Sequence, residues 1–281
     1  MILDAHTHIF PPEICADREP FLAGEPDFAL LYENPEARLV PAETLVEALD
    51  GWGADGAVAF GFPFEDTGKS ALANDYAIHA ASLFPGRIIP FACVNPAMGR
   101  PALKELERSL AKGARGAGEL ATYKAGLGPE VRRALGPVAA LCREAGVPLL
   151  LHANEPVGHQ YPGKSPMEVS DLYRLVAENR DTDWILAHLG GGLFFYELLK
   201  KEVSETLKNV RYDTAAVPFL YKPQTLRRFI DICGVGKLVH GTDFPLLGQP
   251  RYEKEYEQAG LTPEELAAVM GGNLAAMLEE R

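Results

Sequence analysis

Residues 1–8 read MILDAHTH, an apolar segment that runs directly into His6 and His8. In a β-strand, residues two positions apart project from the same face, so the two imidazoles would lie side by side. Apolar segments that end in a potential metal ligand recur later in the chain. They are VPLLLHANE with His152, DWILAHLGGG with His188, and KLVHGTDFP with His240 and Asp243. This recurrence predicts a repeated strand unit with polar side chains at the carboxyl end of each strand.

Eight short β-rich segments alternate with helical ones. The strands are predicted to begin near Ile2, Gly56, Ile88, Ala114, Val147, Trp184, Val210 and Leu238. The helical segments between them include residues 41–52, 74–84, 100–113, 130–146, 167–180, 194–208 and 223–234. This alternation predicts an α/β fold, a closed (β/α)8 TIM barrel that forms one domain over residues 1–281. An open doubly wound sheet would be favoured by a glycine-rich phosphate fingerprint after the first strand, where this chain has HTHIFPPEI.

The interval between the first two strands is unusually long. Residues 9–54 are predicted to form a lid insertion, rich in proline, glutamate and aromatic residues in its first part, followed by the first helix. An insertion of this kind belongs to the loop face of a barrel, where active sites form. After the eighth strand, TPEELAAVMGGN (262–273) and NLAAMLEER (273–281) predict two closing helices, the first capped by Thr262.

Polar side chains follow the predicted strands, whose carboxyl ends meet at one mouth of a closed parallel barrel. Nitrogen and carboxylate ligands at that mouth suit zinc or a related divalent ion. The predicted metal ligands are His6, His8, Glu119, His152, His188 and Asp243. Each has a structural alternative, since a histidine can be a hydrogen-bonded core residue, Asp243 a helix cap and Glu119 a solvated loop residue. The conjunction of six such residues at strand ends favours the metal site.

Two loop segments, ELATYKAG and HANEPVGHQYPGKS, carry side chains suited to substrate recognition. The predicted substrate-binding residues are Tyr123, Lys124, His159, Tyr161 and Lys164. The lysines indicate a small anionic substrate with a carboxylate or phosphate, although an exposed loop lysine is the plainer alternative for each. Asp213 is predicted to orient a substrate or a ligating histidine, and Asp4 to lie beneath His6 and His8.

The composition narrows the classes of partner. The chain has 39 acidic and 27 basic residues and a net charge of −12, which argues against a nucleic-acid binder with a broad basic surface. The four cysteines are widely separated, so reduced thiols are expected instead of disulfides or a thiolate zinc site. The sequence has neither a signal-peptide pattern nor an apolar run of eighteen residues, so we expect a cytoplasmic protein with no membrane partner. Homo-oligomer formation is left open.

The polar segments, taken in order, resemble the metal-dependent amidohydrolases of the amidohydrolase-related (amidohydrolase 2) branch. The resemblance spans nearly the whole chain and includes DAHTH, RIIPFACVNP, LLLHANE, LAHLGGG, NVRYDTAA, HGTDFP and GGNLAAMLEE. It implies a metal site built from His6, His8, His152, His188 and Asp243. Many amidohydrolases carry a carbamylated lysine after the fourth strand. Glu119 at that position looks like the TatD-type variant and leaves one or two ions open.

The resemblance implies hydrolysis by metal-activated water. Bound zinc lowers the pKa of water from about 15.7 toward about 7, which makes hydroxide available at neutral pH. Asp243 is then predicted to move the proton of that water, and His188 or His240 to stabilise charge on the substrate oxygen. The first hypothesis is a metal-dependent hydrolase of a small carboxylate-bearing amide, ester or lactone. The alternatives are non-oxidative decarboxylation, as in relatives of this branch, TatD-like phosphodiester cleavage, and a metal-binding scaffold without catalysis.

Overall fold

Eight parallel strands pair in chain order within one sheet. They are β1 (Leu3–His8), β2 (Gly56–Phe60), β3 (Ile88–Ala92), β4 (Gly116–Leu120), β5 (Leu149–Leu151), β6 (Trp184–Leu186), β7 (Val210–Asp213) and β8 (Leu238–Val239). Main-chain hydrogen bonds from Ala5 to His240 and from His8 to Phe244, each 2.7 Å, join the last strand segment to the first. The structure, a computed structural model that describes residues 1–279, is therefore the predicted (β/α)8 barrel.

Helices follow the strands, and most of them form the outer layer. They are α1 (Pro12–Ala16), α2 (Glu19–Leu22), α3 (Pro26–Tyr32), α4 (Ala42–Trp52), α5 (Thr67–Leu83), α6 (Arg100–Ala111), α7 (Pro129–Ala145), α8 (Val169–Glu178), α9 (Val203–Thr206), α10 (Val217–Leu220), α11 (Gln224–Cys233), α12 (Pro250–Ala259), α13 (Pro263–Ala267) and α14 (Asn273–Glu279). Turns of 3-10 helix lie at Pro96–Met98, His188–Leu198 and Val235–Lys237, and a π-helical turn lies at Ala268–Gly272.

Alternate strand residues pack on the two sides of the sheet. In β5, Leu150 belongs to the apolar cluster inside the barrel, with Val58 and Ile185. Its neighbours Leu149 and Leu151 instead belong to the cluster formed with the outer helices. Because a strand directs successive side chains to opposite faces, a continuously apolar strand fills both layers. The barrel interior is therefore a packed apolar core, and the polar side chains of the candidate site lie at the strand ends.

The C-terminal segment closes the barrel, as predicted. Leu274 and Met277 of α14 belong to the interior cluster. Thr262 caps α13 through a capping box with Glu265. The segment 262–273 is not one continuous helix, however, because a π-helical turn follows α13. At Gly271, a Cβ would meet the backbone of residues 1 and 3 at 2.9 Å, so close approach to β1 interrupts the helix. Glu280 and Arg281 of the second predicted helix lie outside the described residues.

The insertion after β1 contains α1, α2 and α3, and then leads into α4. Two of its carboxylates accept hydrogen bonds from loops at the barrel mouth. Glu25, which is buried, accepts from the amides of Glu65 (2.6 Å) and Asp66 (2.9 Å) in the loop after β2. Asp27 accepts from the amide of Tyr123 (3.0 Å) in the loop after β4. The insertion is thus attached to two loops that flank the mouth, and its role as a lid stays a prediction.

The prediction of a regular helix over residues 194–208 is wrong. The segment begins as a 3-10 turn, and α9 contains only four residues. The 3-10 turn ends at Leu198, and the chain then leaves helical geometry, because Leu199 is extended and Lys201 has φ of 61°. Strands β4 and β5 begin two residues later than predicted, at Gly116 and Leu149.

Among residues 1–279, no helix is both long and apolar enough to cross a membrane. The cytoplasmic location, the single-domain organisation over the full chain and the oligomeric state stay predictions.

Replacing Glu25 with alanine should loosen the insertion. Two amides lose a charged acceptor, so we expect the free energy of unfolding to fall by about 1.5–3 kcal/mol. Urea unfolding measures this loss, and limited proteolysis should cleave residues 12–40 faster. Glu33→Ala, at an exposed position of the same segment, serves as the control. Equal stability and equal proteolysis of the two variants would contradict the anchoring role.

Candidate metal centre

The structure brings the six predicted ligands together at the mouth of the barrel. His6 and His8 lie in β1 with ring centroids 5.3 Å apart, and Glu119 lies in β4. The remaining three follow strands β5, β6 and β8; they are His152, His188 and Asp243. Parallel strands of a closed barrel end at one face, which explains why residues so distant in sequence meet.

Glu119 lies at the centre of this cluster and is 3% exposed. Its Oε1 is 3.0 Å from Nδ1 of His152 and 3.8 Å from Nε2 of His188. Its Oε2 is 3.8 Å from Nε2 of His6 and 3.9 Å from Nε2 of His8. Potential ligands form two groups of three, one of His6, His8 and Glu119 and the other of Glu119, His152 and His188. Within each group the ligand atoms lie within 4.8 Å of one another. The carboxylate therefore faces one pair of histidines with each oxygen.

Each of the four histidines has a hydrogen-bond acceptor at the ring nitrogen remote from Glu119, and in two of them the bond is short. His6 Nδ1 lies 2.8 Å from Oδ2 of Asp213, and His188 Nδ1 lies 2.8 Å from the carbonyl oxygen of Ala215. Because both partners are acceptors, each Nδ1 carries a proton and each Nε2 faces the cluster. Fixing a ring through its remote nitrogen is the usual way in which proteins orient a metal-binding histidine.

Two aspartates support this arrangement from behind. Besides His6, Asp213 accepts hydrogen bonds from the amides of His188 (2.8 Å) and Ala215 (3.0 Å), so it couples the ends of β1, β6 and β7. Asp4 accepts from the hydroxyl of Thr242 (2.6 Å) and thereby ties β1 to the segment after β8. Asp213 thus contacts the ring of a predicted ligand, whereas Asp4 contacts backbone amides and Thr242; the roles predicted for both stay predictions.

Charge in the cluster is strongly coupled. Burial alone would lower the pKa of His6, but the charges of Glu119 and Asp213 outweigh it and raise the pKa to about 10. Burial alone would raise the pKa of Glu119, but His6 and His152 hold it at about 2. Burial, together with the neighbouring His152, lowers the pKa of His188. The buried carboxylates therefore require positive charge beside them, from a proton on His6 or from a cation.

The donor set fits a divalent cation. Asp243 Oδ1 lies 3.5 Å from Nε2 of His6 and 3.3 Å from Nε2 of His8. Ligands about 2.1 Å from a tetrahedrally coordinated ion are about 3.4 Å apart, close to these separations. Nε2 of His6 is buried and has no hydrogen-bond partner among residues 1–279. A buried nitrogen without a partner is costly, and a bound cation would remove that cost. Zinc as the particular ion stays a prediction.

The loop after β6 reaches this site in a left-handed conformation. His188 and Leu189 have φ of 56° and 55°, and the two following glycines have φ of 60° and 58°. At Gly191, a Cβ would meet the carbonyl oxygen of Asn154 in the loop after β5. Gly191 therefore has a packing role, because it allows the backbones beside His152 and His188 to touch.

Aromatic rings form one wall of the site. The ring of Tyr123 lies 4.8 Å from that of His152 and stacks on Phe62, with centroids 6.2 Å apart and planes inclined by 16°. Tyr32, from the insertion, lies edge-on to Phe62, with ring centroids 6.1 Å apart. Sequence reasoning found Tyr123 but missed Tyr32 and Phe62. The aromatic richness of the insertion was a signal, but it did not show which rings reach the mouth.

The other predicted substrate-binding residues have different surroundings. Lys164 Nζ already donates to Glu155 (3.0 Å) and to the carbonyl oxygens of Val157 (2.6 Å) and His159 (3.1 Å). Tyr161 donates its hydroxyl hydrogen to the other oxygen of Glu155 (3.0 Å). The side chain of His159 is exposed, as is that of Lys124. Lys164 and Tyr161 thus stabilise their own loop, and none of these four residues enters the metal-ligand cluster.

His240 does not face the cluster. Its Nδ1 lies 2.7 Å from the hydroxyl oxygen of Tyr256, and its ring packs against Tyr252, both of α12. The suggestion that His240 stabilises charge on a substrate oxygen is therefore not supported by its position. His188, the alternative, lies in the cluster.

The family model for amidohydrolases matches residues 3–279. The chain belongs to the amidohydrolase family. A search of curated proteins gives no significant match. The expected family and the expectation of an enzyme are confirmed, whereas the likeness of Glu119 to the TatD type is not tested.

Three solved structures illustrate the shared fold. A 5-carboxyvanillate decarboxylase from Novosphingobium aromaticivorans, complexed with manganese and 4-hydroxy-3-methoxy-5-nitrobenzoic acid, is 16% identical with a TM-score of 0.77, over 99% of this chain and 96% of that one. A dihydroxybenzoic acid decarboxylase from a Polaromonas species, with manganese and 2-nitroresorcinol, is 15% identical with a TM-score of 0.69, over 100% and 97%. A probable 2-pyrone-4,6-dicarboxylic acid hydrolase from Acinetobacter baumannii, with citric acid, is 15% identical with a TM-score of 0.62, over 99% and 98%.

Gly191→Ala should destabilise the site more than Gly192→Ala. Both glycines have positive φ, so alanine pays about 1–2 kcal/mol in backbone strain at either position. Only at Gly191 would the new methyl group also meet the backbone of Asn154, since nothing lies within 4 Å of a Cβ at Gly192. We expect a larger loss of unfolding free energy in urea and weaker Mn²⁺ binding for Gly191→Ala. Equal losses in the two variants would contradict a close contact between the loops.

Glu119→Ala should weaken cation binding. The variant removes the carboxylate shared by both groups of three, so we expect a loss of Mn²⁺ affinity greater than the ~10–100-fold typical of an outer-shell partner. Calorimetric titration gives the affinity, and elemental analysis gives the number of ions per chain. Glu155→Ala is the matched control, because that carboxylate pairs with Lys164 at the same mouth. Unchanged binding in Glu119→Ala would rule out a ligand role.

Proposed function

We propose that this chain is a metal-dependent, non-oxidative decarboxylase of small aromatic or unsaturated carboxylic acids. The observation that carries the proposal is the aromatic wall beside the ligand cluster, where Tyr123 lies against His152 and stacks on Phe62. A planar substrate could stack on such a wall with its carboxylate directed at the ligands. The two manganese-containing decarboxylases of similar fold support this choice of reaction.

We assign recognition of the substrate carboxylate to the metal-ligand cluster and to Tyr123 and Tyr32. Lys164 is already engaged by three acceptors, so it is not free to hold a carboxylate. Burial, followed by the charges of nearby carboxylates, raises the pKa of Tyr123 well above its usual value. The same causes, with Asp243 foremost among the charges, raise the pKa of Tyr32. Both phenols therefore stay protonated at neutral pH and can donate a hydrogen bond to a substrate oxygen.

His6, His8, Asp243, Glu119, His152 and His188 would hold the ion or ions. When bound, a divalent cation supplies Lewis-acid stabilisation of the anionic oxygens of the substrate. Manganese and zinc both accept this set of nitrogen and carboxylate ligands. Asp213 keeps a proton on Nδ1 of His6, and the carbonyl of Ala215 keeps one on Nδ1 of His188. Both rings therefore present Nε2 to the site.

Asp243 is the residue that we assign to proton transfer. Its side chain is 16% exposed, against 4% for Glu119, so it is the more accessible of the two carboxylates that face the cluster. A proton taken from solvent by Asp243 is delivered to the carbon that bears the carboxylate. The bond between that carbon and the carboxylate then breaks, its electron pair stays on the substrate, and carbon dioxide leaves. One solvent proton is consumed for each carbon dioxide released.

Hydrolysis of a carboxylate-bearing lactone, ester or amide is the second candidate. The position of Glu119 between two pairs of histidines favours it, because such a set could hold two ions and activate water. The probable pyrone hydrolase of similar fold agrees with this reaction class. In that case Asp243 would take the proton of the attacking water. TatD-like phosphodiester cleavage is less favoured by the net charge of −12.

The two reactions differ in the origin of the atoms in the product. With Mn²⁺-loaded protein and 5-carboxyvanillate or 2,6-dihydroxybenzoate, we expect carbon dioxide and a product with one fewer carboxyl group. In D₂O that product should carry one deuterium, and in H₂¹⁸O it should carry no ¹⁸O, by mass spectrometry. Asp243→Asn should lower turnover by at least about 100-fold, since a positioned acid typically contributes that much. Asp181→Asn, at an exposed position, is the control.

Opening of 2-pyrone-4,6-dicarboxylate with incorporation of one ¹⁸O would instead support hydrolysis. If the metal-replete protein turns over no compound in a panel of aromatic acids and carboxylate-bearing lactones, both candidates are contradicted. Cleavage of labelled single-stranded DNA would move the assignment to phosphodiester hydrolysis.

A further inference from the structure

Asn154, two residues after His152, is a buried polar residue that sequence reasoning did not select. It is 2% exposed. Its side-chain oxygen accepts a hydrogen bond from the amide of Ser165 (2.8 Å). Its side-chain nitrogen donates to the carbonyl oxygens of Glu155 and Ser165, each at 3.1 Å. One N–H donor and two carbonyl acceptors together fix which end of the amide is oxygen and which is nitrogen.

This orientation determines the hydrogen bond that Asn154 makes with His152. Oδ1 of Asn154 lies 3.2 Å from Nε2 of His152. Because an amide oxygen only accepts hydrogen bonds, Nε2 of His152 must carry a proton. The neutral imidazole then has its lone pair on Nδ1, the atom that lies 3.0 Å from Oε1 of Glu119.

His152 is therefore held in the opposite sense to two of its neighbours. His6 and His188 are bonded through Nδ1 and face the cluster with Nε2. His152 is bonded through Nε2 and faces the cluster with Nδ1. A metal ligand needs the lone pair, so the nitrogen that faces Glu119 must be free of its proton.

The competing tautomer would block the site. With its proton on Nδ1, His152 would donate a hydrogen bond to Glu119, and this bond would occupy both atoms needed by a cation. Nε2 would then direct its lone pair at the oxygen of Asn154, which is repulsive. We propose that Asn154 is a positioning residue that holds the proton of His152 on Nε2 and so keeps Nδ1 available to bind a divalent cation. This inference rests on the metal site of the proposed function and not on the reaction.

The tautomer can be observed directly. In protein labelled with ¹⁵N-histidine and loaded with Zn²⁺, a diamagnetic probe, long-range ¹H–¹⁵N correlation spectra report which ring nitrogen carries the proton. Comparison with His152→Gln identifies the signals of this residue. We expect a proton on Nε2 and none on Nδ1 for His152, and the reverse for His6 and His188. A proton on Nδ1 of His152 in the loaded protein would overturn the proposal.

Metal affinity supplies the second readout. Asn154→Ala removes the acceptor, so calorimetric titration with Mn²⁺ should show affinity weakened by ~10–100-fold, as for other outer-shell partners of metal ligands. Asn154→Asp keeps an oxygen beside Nε2 but loses both bonds from the side-chain nitrogen, and it should restore affinity to within a few-fold of the parent. A purely structural role for Asn154 predicts that both variants fail equally, because both disrupt the attachment of Ser165.

Ser165→Ala controls for the loop. It removes the hydrogen bond from the Ser165 hydroxyl to the carbonyl of Thr122 (2.9 Å) but leaves the Asn154 oxygen beside His152. We expect little change in Mn²⁺ affinity for this variant, and thermal unfolding checks that each variant is folded. Affinity lost equally in Ser165→Ala and Asn154→Ala would overturn the proposal. If the parent protein binds Mn²⁺ with the expected tautomer but turns over no carboxylic acid, the proposed reaction fails and the role of Asn154 stands.

Discussion

A buried carboxylate is stable only when hydrogen-bond donors or positive charge lie beside it, and the groups that face Glu119 at the mouth of the barrel are imidazoles. The residue is almost completely enclosed, and four imidazoles surround it within 3.9 Å. Protonation of His6 is one way to balance the charge, and a divalent cation is the other. The orphaned Nε2 of His6 favours the cation, because ion binding removes a desolvation cost that a proton alone leaves in place. Folding and metal binding are therefore coupled through the same charges.

The residues behind the ligands turn this cluster into a defined site. Asp213 binds a ring nitrogen of His6 and the backbone amide of His188, so two ligands from different strands share one support. Asn154 similarly contacts His152 and closes its loop through Ser165. Each support is a buried polar group; the partners of Asp213 lie after different strands, and those of Asn154 lie at the two ends of one loop. Displacing one segment would leave an unpaired buried group on another, which explains how short loops can hold a precise geometry.

Particular features of the sequence explain why most of the fold and the ligands could be predicted. The barrel follows from eight apolar segments, and the ligands follow from polar residues placed where those segments end. What failed depended on backbone geometry or on contacts between distant loops. The 194–208 helix was lost because Leu199 is extended and Lys201 has a positive φ, although neither is glycine. Lys164 was expected to bind substrate, yet its own loop supplies all three acceptors. Tyr32 reaches the site only because the insertion folds back over the barrel.

The attachment of that insertion bears on how a substrate enters. Glu25 and Asp27 bind amides in the loops after β2 and β4, and Phe28 packs against Phe62 and Phe64. Opening this side would break charged hydrogen bonds and separate aromatic rings at once. The insertion also contacts the segment that carries Asp243, because Arg38 donates a hydrogen bond to the carbonyl oxygen of Pro245 (3.2 Å). The insertion is therefore attached to three segments around the mouth, and its role as a lid stays a prediction. In the proposed decarboxylation, Asp243 exchanges its proton with solvent through its partly exposed side chain, which suits protonation of carbon followed by loss of carbon dioxide.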